Sequence, residues 1–166
     1  MSEEIRRAAI AAVSQVFEKM FFLFVEEQEE ETGGEAARRE ESAPLSASPP
    51  RWVWGDIGFK GAASGRIQLA LPYRLALTLA VNFMGLEEES VSEAELLDVV
   101  RELNNMISGN LFSLLNKKAK YALTRPKAEL ISDEGKKSRF PESGRVIHFQ
   151  AEGQQIDLDL ELFQPG

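Results

Sequence analysis

The chain has 166 residues, 43% hydrophobic and 28% charged, the size and mixture of one globular domain with a core of its own. Zero cysteines exclude a disulfide-stapled scaffold, a zinc-thiolate site and a thiol nucleophile, and the single histidine, His148, argues against a histidine-rich metal site or a Ser-His-Asp triad. A net charge of −8 repels phosphate backbones, and the best local basic patch is only Lys117, Lys118 and Lys120.

The longest apolar run near the start, Met20 to Val25, is far short of the roughly 18 residues a membrane span needs, and Glu3 and Glu4 do not suit a signal-peptide n-region. The expectation is a soluble, cytoplasmic protein. Ile5, Ala9, Ala12, Val13, Val16, Phe17, Met20, Phe21 and Phe24 recur at three- and four-residue steps, which predicts a first helix with one buried face. Glu26 to Pro50 follows with eight glutamates against two arginines, supplying −6 of the net charge. With Gly33, Gly34, Pro44, Pro49, Pro50 and almost no large apolar residue, it reads as a flexible acidic loop, a solvated linker rather than a docking arm for a basic partner.

Arg51 to Lys60 and Gly65 to Leu71 are rich in β-formers and separated by Gly61-Ala62-Ala63-Ser64, which predicts a hairpin. Pro72 suits the first turn of a short helix running to about Met84, with Gly85 as its stop. Ser92-Glu93-Ala94-Glu95 is a capping box opening a long helix to about Lys118. From Ala128 the period changes to two, most cleanly where Ile156, Leu158, Leu160 and Leu162 alternate with Asp157, Asp159 and Glu161. About three antiparallel strands should therefore close the chain, one face on the core and one in water. The order α-β-β-α-α-β-β-β defines an α+β fold, an antiparallel sheet packed against about three helices in a single domain.

On the long helix, Leu96, Val100, Leu103, Ile107, Leu111 and Leu114 gather on one side, the side to be buried. Asp98, Glu102, Asn105 and Gly109 fall on the opposite side, within a stripe roughly 60° wide that points at solvent or at a partner. Solubilising charge accounts for acidic residues there, but not for the poor helix formers Asn104, Asn105, Gly109 and Asn110 in mid-helix. Local propensity violated in a cluster marks a functional surface: glycine permits close approach, and asparagine offers oriented donors and acceptors.

The string ELNNMISGN, Glu102 to Asn110, with Asp98 before it and Pro126 after the helix, resembles the signature of the CheC and CheX chemotaxis phosphatases, nearest the CheX type. Val16 to Phe22 (VFEKMFF), the hairpin with Ser64-Gly65, and Phe83-Met84-Gly85 extend the resemblance over nearly everything except Glu26 to Pro50. The resemblance implies a phosphatase that hydrolyses the aspartyl phosphate of a CheY-like response-regulator receiver domain, without a covalent intermediate. It implies that Asn105 orients the attacking water, that Glu102 pairs with a receiver lysine, and that Asp98 and Gly109 belong to the docking surface. It also implies no cofactor of the chain's own, with magnesium carried by the receiver, and a homodimer built by pairing sheet edges, for which the regular strand Ile156 to Leu162 is the candidate edge.

Three features depart from that pattern: the glutamate-rich linker, a slightly short spacing from Asn105 to Pro126, and a first helix without a second signature. There Glu18 is followed three residues later by the apolar Phe21, so one site per chain is expected. The alternative is a catalytically silent CheX-like module that binds a receiver or a flagellar-switch protein. Elsewhere, His148 reads as structural, Asp157, Asp159 and Glu161 as strand alternation rather than a metal site, glycines 55, 58, 61 and 65 as turn chemistry, and Trp52 and Trp54 as core or interface aromatics.

Overall fold

The computed structural model describes residues 2–28, 51–115, 120–140 and 145–163. In chain order these form α1 (Glu3–Phe21), β1 (Glu26–Gln28), β2 (Arg51–Gly61), β3 (Ser64–Pro72), α2 (Tyr73–Met84), a 3-10 turn (Glu88–Ser90), α3 (Glu93–Leu115), β4 (Tyr121–Leu123), β5 (Lys127–Ser132), α4 (Asp133–Arg139), β6 (Val146–Ala151) and β7 (Gln154–Phe163). The sheet is antiparallel throughout, ordered β1-β6-β7-β3-β2-β4, with β5 also pairing with β2. The expected α+β class holds, with an added strand, β1, an added strand, β4, and an added short helix, α4. Among the described residues no helix is long and apolar enough to cross a membrane.

Local chemistry sets the helix limits. Ser2 caps α1 by accepting from the Ile5 amide, and the helix stops at Phe22, which takes a left-handed conformation (φ 58°). Met20 and Phe24, read as part of the buried stripe, are exposed: Phe24 lies beyond the helix end. In α3, the Ser92 hydroxyl accepts from the Glu95 amide while the Glu95 carboxyl accepts from the Ser92 amide, both at 3.1 Å, and the Ser92 amide, helped by its hydroxyl, holds that carboxyl below its usual pKa. Gly85 stops α2 at φ 67°. Leu96, Val100, Leu103, Ile107 and Leu111 are buried as expected, whereas Leu114, in the last described turn, is 42% exposed.

The main core lies between one sheet face and the helices α1, α2 and α3. Val53, Ile57 and Phe59 of β2, Ile67, Leu69 and Leu71 of β3, Ile147 and Phe149 of β6, and Ile156, Leu158 and Leu160 of β7 form its floor. Burying such side chains supplies roughly 1.5–3 kcal/mol each relative to exposure. Gly55 and Gly58 sit inside β2 and Gly65 inside β3, so they are not turn residues. A Cβ on Gly65 would lie 2.1 Å from the Glu161 carbonyl oxygen, which makes it a site of close strand approach.

The opposite sheet face is not in water where α4 covers it. Asp159 is fully buried and Asp157 nearly so. Asp157 meets Lys136 Nζ at 2.5 Å and His148 Nδ1 at 2.6 Å, and Asp159 is held by Arg145 at 2.5 and 3.0 Å. Lys136 lies 3.6 Å from the Trp52 ring centroid and the Arg139 guanidinium carbon 4.4 Å from that of Trp54. The tryptophans are thus a half-buried seat for α4 and Asp157 its ionic anchor, while Asp159 is held by Arg145, outside that helix.

Glu26–Gln28, expected to open the loop, form β1: they pair with Phe149, His148 and Gln150 of β6, and Glu27 makes an ion pair with Arg6 of α1. Residues 29–50 of the expected loop, and Lys117 and Lys118, lie outside the described residues. The strand chosen as an exposed edge, Ile156 to Leu162, is central instead, since β7 pairs with β6 on one side and β3 on the other.

The acid response of the fold follows from Asp157. Burial raises its pKa, but the bonds from His148 and Gln155 and the charge of Lys136 outweigh burial and hold it below the ordinary carboxylate value. A depressed carboxyl contributes stability that is present above the unfolded pKa and lost as pH falls through the folded one. As pH falls below about 5, chemical denaturation should therefore show the wild type losing stability more steeply than Asp157→Asn, which starts from a lower value.

Candidate functional site

α3 crosses the sheet over β2, where Gly55 leaves room for it. A Cβ on Gly55 would stand 3.4 Å from Val100 Cγ1 and 3.5 Å from Asn104 Nδ2, so the helix lies directly on the strand backbone. With the apolar side down, the other side faces out. Asp98, Glu102 and Gly109 are exposed there and Asn105 is half-buried, so the four residues expected to share one surface do share it.

The four differ in what holds them. Asp98 is engaged by Arg101, three residues along, an ion pair that neutralises one of the two carboxylates. Among the described residues neither Glu102 nor Asn105 makes a side-chain hydrogen bond or ion pair, so a carboxylate and a carboxamide one helical turn apart are free for an outside group. Nothing lies within 4 Å of a Cβ built on Gly109, and a partner can approach the helix backbone there. The stripe holds no hydroxyl or thiol nucleophile. Its chemistry is that of positioning: a carboxylate able to bind a cationic donor, and an amide able both to donate to and accept from a water.

The cluster of poor helix formers divides in two. Asn104 is fully buried and donates to the Ile67 carbonyl oxygen at 3.3 Å, and Asn110 donates to Gln15 Oε1 of α1 at 2.9 Å. These two tie α3 to the sheet and to α1, while Asn105 and Gly109 face outward. The anchoring role of Asn104 was missed, although at about 100° per residue it falls within about 40° of Val100 on the buried side. The second missed signal is Gly55, an isolated glycine within a strand pattern, which points to close backbone approach. On α1, Glu18 is exposed and Phe21 fully buried, so that helix has no paired carboxylate and carboxamide at the corresponding spacing.

An antiparallel sheet with long helices packed on one face is an arrangement this chain shares with solved CheX- and CheC-like chemotaxis proteins. The chain is similar in fold to the chemotaxis protein CheX of Vibrio vulnificus (TM-score 0.67, 18% identity, 96% of this chain and 97% of that one). It is also similar to a CheC-like superfamily protein from Shewanella sp. PV-4 (0.68, 17%, 99% and 100%) and to the structure of a CheX-CheY-BeF3-Mg2+ complex from Borrelia burgdorferi (0.65, 16%, 98% and 100%). A comparison of the sequence with curated proteins gives no match. The family model described as chemotaxis phosphatase CheX matches residues 53–150, and the chain belongs to that family. The match includes the whole of α3 and the strands beneath it.

Because Gly109 occupies an exposed helix position with open space around it, Gly109→Ala should raise stability by about 0.5–1 kcal/mol, the cost of glycine relative to alanine in a helix interior. Chemical denaturation of the two proteins measures it. Destabilisation would mean that the glycine serves the fold itself.

Proposed function

We propose that this chain is a phosphatase that hydrolyses the aspartyl phosphate of a CheY-like response-regulator receiver domain. The observation that carries the reading is the Glu102 and Asn105 pair, without a side-chain partner among the described residues and one turn apart on the outward side of α3, in a chain of the CheX family. A relative of the same fold assembles with CheY in the Borrelia burgdorferi complex, which supports a receiver domain as partner.

The chemistry asks little of the enzyme. An acyl phosphate is a reactive ester-like anhydride, so hydrolysis needs a water held in line with phosphorus rather than a nucleophile of the protein. In this reading the Asn105 carboxamide enters beside the phosphoryl group and fixes that water. Glu102 pairs with a lysine beside the phosphorylated aspartate and thereby fixes the register of the two proteins. Magnesium belongs to the receiver, where it neutralises the phosphoryl oxygens. Asp98, with its charge already engaged by Arg101, lies at the margin of the docking surface, and Gly109 clears room for it. The proposal includes a homodimer: among the described residues the sheet has open edges at β1 and along β4 and β5, to which a second copy can add. A monomer mass independent of concentration in sedimentation would overturn that part.

The two site residues should fail differently. Asn105→Ala should keep receiver binding while phosphate release falls by roughly a hundred- to a thousandfold, as on loss of other positioned polar groups. Glu102→Ala should lower both affinity and turnover, and Gly109→Leu should block docking by bulk. Phosphate-release assays with a phosphorylated receiver, with circular dichroism as folding control, decide between the phosphatase and a binding-only module: a wild type that binds the receiver without releasing phosphate would establish the latter, and full activity in a folded Asn105→Ala protein would remove Asn105 from the mechanism.

The number of sites has its own test. Glu18→Ala, on the exposed side of α1, should leave turnover unchanged within the error of the same assay, and a folded Glu18→Ala protein without activity would reveal a second site.

A further inference from the structure

Asn104 stands between the two proposed site residues in sequence and points the other way. Its side chain is wholly buried, in a helix face that is mostly apolar, with Leu96, Val100, Leu103, Ile107 and Leu111 among its members. Nδ2 donates to the Ile67 carbonyl oxygen in β3, while Oδ1 is buried with no hydrogen-bond partner among the described residues. A carboxamide is a costly choice for such a position, because an apolar side chain of the same shape would leave no acceptor unsatisfied. Ser108, one turn further on, is buried too, but its hydroxyl reaches no partner among the described residues. Of these two inward polar side chains, only Asn104 is bonded to the sheet.

We propose that Asn104 is a positioning residue: its bond to the Ile67 carbonyl, over the gap left by Gly55, fixes the rotation of α3 about its own axis and so the direction in which Glu102 and Asn105 point. The inference rests on the reading of that pair as a receiver-phosphatase site. Apolar contacts along a helix resist sliding poorly and rotation only softly, since they are not directional, whereas a hydrogen bond to a strand carbonyl has a fixed direction. The lever is long enough to matter. A side-chain tip stands ~6 Å from the helix axis, so a rotation of about 10° moves it by about 1 Å. An error of that size in a reacting geometry costs on the order of a hundredfold in rate. Docking, spread over a larger surface, tolerates it far better.

The test compares Asn104→Leu, which keeps the shape and removes the bond, with Ser108→Ala, which removes an inward polar group that anchors nothing. Steady-state phosphate release from a phosphorylated CheY-like receiver, receiver affinity and thermal unfolding are measured for both and for the wild type. The expected result for Asn104→Leu is a Tm equal to or above that of the wild type, with kcat lowered about ten- to a hundredfold and KM and affinity within about twofold. Ser108→Ala should keep the wild-type kcat. If folded Asn104→Leu keeps full kcat, or loses only affinity, the positioning role is overturned while the phosphatase reading stands. If Asn104→Leu fails to fold, Asn104→Ala replaces it. Failure of both to fold shows that the residue serves stability and overturns the proposal. Wild-type protein with no turnover on any phosphorylated receiver overturns the phosphatase reading, and the inference with it.

Discussion

The contact on which the rest of the molecule depends is the one between α3 and the β2 backbone at Gly55. Any side chain longer than a methyl group at that position would fall on Val100 and Asn104. With no side chain on the strand there, the helix settles close to the sheet with its apolar side down, and its outward residues lie on the far side. The bond from Asn110 to Gln15 then joins α3 to α1, so the functional helix is braced from below and from the side. Glu102 and Asn105 thus ride on a helix held from two directions, the kind of support the proposed site would need.

The two faces of the sheet hold their helices by different physics. On one, α1, α2 and α3 are held by nondirectional burial of aliphatic and aromatic side chains. On the other, seven-residue α4 has no buried residue of its own and is fastened by cations: Lys136 to Asp157 and over Trp52, Arg139 to Glu129 and over Trp54. The apolar part of that second layer is small, Ala70, Phe140 and Val146 beside the two tryptophans. Interactions of the second kind respond to pH and salt, and those of the first kind hardly do.

This division also explains what could be read from the sequence. α1, α2, α3, the β2–β3 hairpin and β7 were legible because burial on one side writes its period into the chain and caps such as Ser92 with Glu95 mark the ends. α4 was not, because a helix docked through Lys136 and Arg139 carries no apolar period. Its one signal was Ser132, whose hydroxyl accepts from the Gly135 amide at 3.1 Å. β1 was hidden in the same way: Glu26, Glu27 and Gln28 join the sheet through backbone pairing, with side-chain help from Arg6 and Gln150, inside a stretch whose composition speaks for solvent. The polar face of β7 alternated as expected, but alternation cannot distinguish water from an ionic partner such as Arg145. Of the candidate site, the outward stripe was legible from helical geometry alone. The inward asparagine beside it was not separated from its neighbours until the sheet beneath was in view.

The position of Trp52 and Trp54 has one further consequence. They are the only tryptophans of the chain, they neighbour each other on one face of β2, and both lie under α4 with a cation against each ring. Each indole nitrogen is also engaged, by Asp133 at 2.6 Å and by Gln68 at 2.8 Å. The side of the sheet that carries α3 has none. Intrinsic tryptophan emission from this protein is therefore a local probe of α4 seating, optically silent about events on α3, and any tryptophan introduced beside Gly109 would have to be read against that fixed background.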